Sequence, residues 1–293
     1  MFQMKKVLAG LTSTILTVAA CAAISVPSYA AEVYTPTVTV PGTSFQYNLS
    51  VEYLHAGDLM NGSVAAQEGD IAVTFHSIQN ADFQNLVFLL YYDTGYDVIT
   101  DYTNSPIEKL DAPKWTTSGG FINTHLSDTS NIIQFYVAHK NGNYGSGNGN
   151  VTYFFRPNQQ YVKGESGFTL ALTEYRGKDG SHSTGSTPAS IEIPGIIPYI
   201  LGDVDNDQKI ELEDATDVLT VADSAPNTTV SYLNNHLSEW LPNAVCAEVA
   251  DVDFDQHITE ADAQSILNYY SQSATSTPIN SLIGKTYLYI VKA

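Results

Sequence analysis

Between residues 33 and 193, hydrophobic and polar residues alternate in short runs of strand length. Turn-forming residues separate these runs, notably in 57–58, 141–150 and 177–185. A side-chain period of two is typical of strands with one face in a core. Many short strands with regular turn signals predict an antiparallel β-sandwich, of jelly-roll type. The predicted strands are 38–40, 45–53, 71–75, 86–92, 121–125, 132–138, 151–155, 168–175 and 189–193.

The same alternation assigns two central strands an inner and an outer face. If Phe88, Leu90 and Tyr92 face the core, the residues between them point outward, and the same holds beside Ile133 and Phe135. A sandwich does not normally leave an apolar and aromatic stripe in water without a reason. The stripe is therefore predicted to bind a partner, unless loops or a neighbouring strand cover it. It consists of Val87, Leu89, Tyr91, Gln134, Tyr136 and Ala138.

After residue 193 the hydrophobic period changes. Two runs, 215–222 and 263–270, have helical spacing, and each follows an acidic stretch of twelve residues. A third apolar stripe, Leu233 to Leu241, predicts a middle helix between them. The last apolar run, 286–291, reads as a strand that packs against 196–201. The sequence thus predicts a small helical module at 202–293, joined to a sandwich at 32–193 by a short linker at 194–201.

The two acidic stretches, 203–214 (loop 1) and 251–262 (loop 2), carry aspartates at positions 1, 3, 5 and 12. This is the oxygen-ligand spacing of an EF-hand-type calcium loop. Two solvated acidic turns are the alternative, but two such loops in register, each before a helix, favour two calcium ions. The predicted ligands are Asp203, Asp205, Asp207, Lys209, Glu211 and Asp214 in loop 1, and Asp251, Asp253, Asp255, His257, Thr259 and Asp262 in loop 2. Lys209 and His257 would contribute backbone carbonyls.

The N-terminus and the net charge indicate an extracellular protein. Lys5 and Lys6 precede an apolar run with a small-residue cleavage site at 28–30, which predicts a signal peptide at 1–30. An alternative lipobox pattern at 18–21 would instead lipidate Cys21. The formal charge of −19 argues against nucleic acid and anionic membranes as partners. After cleavage only Cys246 remains, so no internal disulfide can form, and the 286–291 run is too short to span a membrane.

The order of the predicted strands resembles a cohesin module. The resemblance rests on the entry at 38–45, on Phe88 to Asp93 followed by Val98 and Ile99, and on Ile133 to Val137. It continues loosely through the asparagine-rich step at 147–155 and ends with the strand at 190–193. In cohesins the flat sheet face receives a dockerin helix, which would give the outward stripe its partner.

The tandem loop and helix pairs resemble a dockerin module, although no helix is predicted before loop 1. The loops begin at Asp203 and Asp251, farther apart than is usual in that family, and their sixth positions are Gln208 and Gln256 instead of glycine. A non-glycine residue in a left-handed conformation costs about 1 kcal/mol, which would weaken the sites without abolishing them.

The dockerin resemblance also implies a binding surface for a cohesin. It would be formed by positions 10 and 11 of each loop and by the following helices. These residues are Leu212, Glu213, Val218, Leu219, Glu260, Ala261, Ile266, Asn268 and Tyr269. Because the two copies differ at positions 10 and 11, one preferred binding orientation is expected.

Together the two resemblances imply a non-catalytic adaptor scaffold protein of a cellulosome, secreted and held at the cell surface by its partner. Its dockerin would bind a cohesin of a larger scaffoldin, and its cohesin-like sandwich would bind the dockerin of an enzyme or other component. A carbohydrate-binding module, using Trp115, and a polysaccharide hydrolase are the alternatives. The run 164–167 stops short of a nucleophile elbow, because residue 168 is Phe.

Overall fold

The structure, a computed structural model, describes residues 33–41, 43–78, 83–112, 114–123, 130–140, 149–178, 180–183, 189–275 and 281–291. The predicted signal peptide, with Cys21, lies outside these residues. So do most of the glycine-rich turn at 141–150 and the end of the predicted strand 121–125. All the described residues belong to one compact unit.

Two antiparallel sheets form the larger part of this unit, so the predicted antiparallel β-sandwich is confirmed. The first has the order β1-β3-β4-β10-β6, with β2 beside β3 and β7 beside β10. Its strands are β1 (Val33–Tyr34), β2 (Val38–Thr39), β3 (Gln46–Leu54), β4 (Asp70–Ser77), β6 (Tyr96–Val98), β7 (Glu108–Asp111) and β10 (Gly149–Pro157). The second has the order β12-β11-β5-β9-β8, with β13 beside β11. Its strands are β5 (Phe83–Asp93), β8 (Trp115–Asn123), β9 (Ser130–His139), β11 (Phe168–Gly177), β12 (Gly180–Ser183) and β13 (Ala189–Ile193).

An aromatic core joins the two sheets. The ring of Phe75 on the first sheet lies 4.5 Å from that of Phe88 on the second, and Phe88 stacks on Phe135 at 5.1 Å. The six side chains predicted to face inward are all buried, namely Phe88, Leu90, Tyr92, Ile133, Phe135 and Val137. Burial of large aromatic side chains on this scale is the main stabilising contribution to the sandwich.

A two-stranded ribbon connects the sandwich to the helical segment. The predicted linker 194–201 contains β14 (Ile196–Ile200), which pairs antiparallel with β17 (Thr286–Ile290). The predicted packing of the C-terminal run on this segment is therefore confirmed. The linker therefore contains a strand. The proline at its centre, Pro198, had indicated an irregular connection instead of a strand. Pro198 lacks an N–H, and strands at a sheet edge tolerate that loss.

The two faces of the ribbon belong to different cores. Ile196 and Leu288 pack in the sandwich core, whereas Tyr199 and Tyr287 pack in the core of the helical segment. The rings of Tyr199 and Tyr287 stack at 5.9 Å. Because side chains alternate along a strand, a single two-stranded ribbon contributes to both cores.

The helical segment contains α1 (Leu212–Ser224), α2 (Val230–Asn234), α3 (Leu237–Trp240), a 3₁₀ helix (Ala247–Ala250) and α4 (Glu260–Ser273). Two short strands, β15 (Thr228–Thr229) and β16 (His257–Ile258), pair antiparallel. Helices α1 and α4 pack on each other, and the fully buried Val218 and Ile266 lie in their shared core. Both helices predicted after the aspartate loops are thus present.

The single middle helix predicted from the stripe at 233–241 is wrong. The segment forms the two short helices α2 and α3, interrupted at His236, whose backbone is not helical (φ −131°, ψ 25°). Asn234 holds the end of α2 through contacts distant in sequence. Its side chain donates to the Glu248 carboxylate and accepts from the N–H of Ala247 at 2.8 Å. Leu233 and Leu241 are buried, so the apolar positions were identified correctly but not their connection.

Candidate functional site

Loops 1 and 2 have left-handed residues at the same two positions. The residues at position 6, Gln208 and Gln256, are left-handed with φ of 71° and 70°, as the EF-hand spacing predicts. Position 4 is left-handed as well, with Asn206 at 60° and Phe254 at 62°, which the sequence analysis did not anticipate. Asparagine tolerates this region, but for a bulky residue such as Phe254 it is uncommon.

The first aspartate of each loop holds the turn closed. In loop 1 the Asp203 carboxylate accepts hydrogen bonds from the N–H groups of residues 207 and 208, both at 3.0 Å. In loop 2 the Asp251 carboxylate accepts from the N–H groups of residues 255 and 256, at 3.1 and 3.0 Å. The same side chain therefore organises the same turn in both copies.

The last aspartate of each loop ties the start of the loop to its helix. Asp214 accepts from the N–H groups of Val204 at 2.6 Å and Glu211 at 2.8 Å. Asp262 accepts from the N–H groups of Val252 at 3.0 Å and Thr259 at 2.9 Å. Glu211 and Thr259, the predicted position 9 ligands, are the N-cap residues of α1 and α4. A ligand at position 9 often acts through a water molecule.

The carboxylates converge in both loops. Oxygens of Asp203, Asp205 and Asp214 lie within 4.8 Å of one another, as do those of Asp251, Asp253 and Asp255. A calcium ion with ligand distances of about 2.3–2.6 Å requires oxygens at separations of this order. The donor set is thus that of a hard cation.

Burial makes these acidic clusters costly without a cation. Asp203, Asp214, Asp251 and Asp262 are all buried. Burial raises the pKa of Asp214 to about 6 and that of Asp251 to about 7, and like charges nearby add to the rise. It also raises the pKa of Asp203 and of Asp262. Desolvation and repulsion both disfavour the ionised form of these carboxylates, and a bound cation would favour it.

Position 5 is less buried and differs between the loops. In loop 1 the Asp207 carboxylate forms an exposed ion pair with the Lys209 ammonium at 2.9 Å. In loop 2 the His257 Nδ1 lies 3.7 Å from the Asp255 carboxylate. Asp207 is also outside the converging oxygens of loop 1, whereas Asp255 belongs to those of loop 2.

The predicted docking residues of the helical segment divide into two groups. Leu212, Glu213, Glu260, Ala261 and Asn268 are exposed, and Leu219 and Tyr269 are half-buried. Val218 and Ile266 are fully buried between α1 and α4. These two side chains are not available to a partner, so their assignment to the docking surface is wrong. Helical spacing identified the apolar side of each helix, and that side faces the other helix.

The outward stripe of the sandwich comes together on one face of the second sheet. Strand register places Val87 opposite Tyr136 and Leu89 opposite Gln134. Val87 is buried, Leu89, Tyr91, Gln134 and Ala138 are half-buried, and Tyr136 is 39% exposed.

The stripe is wider than the sequence indicated. Ile132 lies opposite Tyr91, and Ala171 of β11 lies opposite Leu89, so both extend the apolar part of this face. Ala171 could have been identified only from the pairing of β5 with β11. The hydrophobic periodicity of a single strand does not reveal which strands pair.

Two residues considered for the alternative functions are buried. Trp115 is fully buried in the sandwich core, so it cannot provide the exposed ring that the alternative carbohydrate-binding interpretation requires. Ser166 is 2% exposed and its hydroxyl donates to the Asp93 carboxylate at 3.1 Å. Its place in a hydrogen-bonded turn gives it a structural role.

Comparisons with known proteins do not assign a family. No family model matches, and no curated protein matches. Among solved structures, a non-cellulosomal cohesin from the hyperthermophilic archaeon Archaeoglobus fulgidus is 19% identical, with 38% of this chain and 71% of that chain covered and a TM-score of 0.23. A cohesin module from a Clostridium perfringens family 33 glycoside hydrolase is 13% identical, with coverages of 54% and 97% and a TM-score of 0.26. The collagen-binding domain from a Staphylococcus aureus adhesin is 9% identical, with coverages of 55% and 95% and a TM-score of 0.24.

These TM-scores are too low to support a conclusion about function, so the description of the fold rests on the strand order above. Within the described part of the chain, every helix is too short or too polar to cross a membrane.

Proposed function

We propose that this chain is a secreted, non-catalytic adaptor protein of a cellulosome that joins two protein partners. The helical segment, residues 202–293, would bind a cohesin of a larger scaffoldin. The sandwich, residues 32–193, would bind the dockerin of an enzyme or another component. The observation that carries the proposal is the equivalence of loops 1 and 2 in backbone conformation and in aspartate hydrogen bonds.

Calcium would act in this protein as a folding ligand. The converging carboxylates support one ion in each loop, with the carbonyls of Lys209 and His257 and the position 9 residues completing the shell. An ion that binds only the folded state adds its binding free energy to stability. Because each loop runs directly into α1 or α4, two ions would fix the relative position of the two helices.

The surface beside the loops supports protein recognition. Leu212 is an apolar residue 37% exposed at the start of α1, and Tyr270 on α4 is 39% exposed. Glu213 and Glu260 are exposed nearby in sequence. Exposed apolar and aromatic side chains together with charged ones are typical of a protein interface.

The second sheet supports a separate interface. Tyr136 is exposed opposite Val87, the half-buried Leu89 lies opposite the neighbouring Gln134, and Gln134 donates from Nε2 to the Tyr136 hydroxyl at 2.7 Å. Aromatic residues are enriched in the centre of protein interfaces. A flat face of this composition suits a helix laid across it.

The proposal is tested by calorimetry of the full chain against a panel of isolated cohesins and a panel of isolated dockerins, all in calcium. The double variant Asp203→Ala and Asp251→Ala should lose cohesin binding and keep dockerin binding. Variation of this chain's own loops is preferable to a chelator, because a chelator would also unfold the partner dockerins. Leu89→Glu should reverse the result, weakening dockerin binding by about tenfold or more and leaving cohesin binding unchanged.

Leu59→Glu is the matched control, since Leu59 is a leucine 61% exposed outside both surfaces. It should change neither interaction. If the chain bound no cohesin and no dockerin, the adaptor proposal would be wrong.

A further inference from the structure

An open cleft of about 950 Å³ lies beside the strand ends that carry Tyr92 and Asn131. Its wall is formed almost entirely by neutral polar side chains. Five are carboxamides, from Asn104, Asn131, Asn158, Gln159 and Gln160, and threonine and tyrosine hydroxyls add to them. Asp97 is its one charged residue and Val98 its one aliphatic residue. Ligand sites of this size usually have largely apolar walls, so this cleft suits a polar ligand.

Two buried polar atoms in the wall lack hydrogen-bond partners. They are the hydroxyl of Tyr92, a residue 2% exposed, and Oδ1 of Asn131, a residue 9% exposed. Among the described residues, no group donates to or accepts from either atom. Most buried polar groups in folded proteins are paired, and each exception requires an explanation.

The two unpartnered atoms belong to neighbouring residues. Tyr92 on β5 and Asn131 on β9 are directly opposite each other in the strand register, so their side chains leave the sheet on the same side. One offers a donor and the other an acceptor. A hydroxyl group donates and accepts at once, and can therefore satisfy such a pair.

We propose that this cleft binds a neutral oligosaccharide. Sugar hydroxyls match the carboxamides and hydroxyls of the wall, since both partners donate and accept. The Asp97 carboxylate disfavours an anionic ligand. Val98 is the one aliphatic side chain of the wall, so a peptide that binds through an aliphatic anchor, as peptide ligands commonly do, would find little to pack against.

A fully exposed aromatic ring lies close in sequence to the wall. Tyr102, which is 98% exposed, stands between the wall residues Thr100 and Asn104. Its turn is held by Asp101, whose Oδ1 accepts from the N–H groups of residues 103 and 105 at 2.7 and 3.1 Å. A tyrosine ring combines an apolar face with a polar tip, which suits the mixed surface of a sugar.

This site is independent of the two protein interfaces. Its wall residues come from β5, β6, β9 and the adjoining loops, and they include none of the residues of the stripe or of the helices. Saccharide binding and adaptor function can therefore succeed or fail separately.

The test is calorimetric titration of the full chain with cellohexaose, xylohexaose and mannohexaose. Hexagalacturonate serves as an anionic comparison and an alanine–glycine hexapeptide as a peptide comparison. At least one neutral hexasaccharide should bind. Tyr92→Phe, which removes only the unpartnered hydroxyl, and Asn131→Ala should each weaken that binding about tenfold or more.

Tyr232→Phe is the matched control, because Tyr232 is a tyrosine on α2, 46% exposed and not part of the cleft wall. It should bind as the unchanged chain does. The thermal midpoint of Tyr92→Phe should not fall, since the hydroxyl has no protein partner to lose. The proposal is overturned if no neutral hexasaccharide binds, if either cleft variant binds with unchanged affinity, or if the hexapeptide binds more tightly than every hexasaccharide.

Discussion

Loops 1 and 2 are alike in the hydrogen bonds of their first and last aspartates and unlike in the residues that contact the rest of the protein. Both use the first and last aspartates for the same hydrogen bonds, and both turn left-handed at positions 4 and 6. At position 4, however, Asn206 is exposed, whereas the Phe254 ring lies 5.7 Å from that of Tyr287 in the ribbon.

Loop 2 is also more closely connected to the rest of the helical segment. Its residues 257–258 form β16, which pairs with β15, and the N–H of Val230 donates to the carbonyl of Gln256. Loop 1 is joined to the 3₁₀ helix by the adjacent Gly202, whose N–H donates to the Val249 carbonyl at 2.9 Å. The comparison teaches that two loops with the same aspartate spacing and the same left-handed positions can be coupled unequally to the fold.

The largest expected effect comes from removing calcium from both loops. With free calcium about a thousandfold above the Kd, each bound ion adds about 4 kcal/mol to the free energy of unfolding. Addition of EGTA to the full chain should therefore lower the thermal midpoint of the helical signal in circular dichroism. An unchanged midpoint would show that the loops hold no calcium.

Single variants separate the two loops. Asp251→Ala should lower the midpoint in calcium more than Asp203→Ala, because loop 2 orders β15, β16 and the ribbon contact as well as its own helix. If the two variants lowered the thermal midpoint equally, loop 2 would not be more strongly coupled to the fold than loop 1.

Removal of the ribbon strand should have the next largest effect. Truncation after Ser273 deletes β17 and the segment before it, and with them buried Ile283, Tyr287 and Leu288. Burial of three such side chains contributes about 5–9 kcal/mol, so the free energy of unfolding in urea should fall by an amount of this order. The full-length chain with Thr275→Ala, a change outside β17, is the control. If the truncated protein had the same free energy of unfolding as the full chain, the ribbon would not be a stabilising element.

Substitution at position 4 tests the comparison directly. Phe254→Ala should cost about 2 kcal/mol of unfolding free energy, less than for a fully buried phenylalanine, because Phe254 is half-buried and loses its contact with Tyr287. Asn206→Ala in loop 1 is the matched control and should cost about 1 kcal/mol or less, from its left-handed backbone. If the two losses measured by denaturant unfolding were equal, position 4 would not distinguish the loops.

The smallest expected effect is a gain, and it should be equal in the two loops. Gln208→Gly and Gln256→Gly each relieve a left-handed non-glycine residue, worth about 1 kcal/mol. Calcium titration by calorimetry should show an affinity higher by about fivefold at the altered site. A gain in one loop alone would mean that the backbones differ more than their φ angles indicate.

The sequence was informative wherever one strand or one loop contains the whole signal. Alternation placed Phe88 and Phe135 inside and Leu89 and Tyr136 outside, and aspartate spacing identified two loops whose carboxylates converge. These features depend on local geometry, since the period of two and the turn of the loop are properties of short segments.

The misses depend on contacts between distant segments. The interruption of the middle helix follows from Asn234 bonding to residues of the 3₁₀ helix. The burial of Val218 and Ile266 follows from α1 packing on α4. The Tyr92 and Asn131 pair follows from the register of β5 and β9. Neither hydrophobic spacing nor loop motifs carry this information.

The ribbon has a consequence for how far the sandwich and the helical segment can move apart. A flexible linker of eight residues could be pulled out toward its full extended length. In this protein β14 is already an extended strand, with its side chains divided between the two cores and β17 bonded along it. The connection is therefore already close to its full length. A force that pulled the sandwich and the helices apart would have to disrupt core packing before the connection could lengthen. Partners held at the two ends would keep a constant separation.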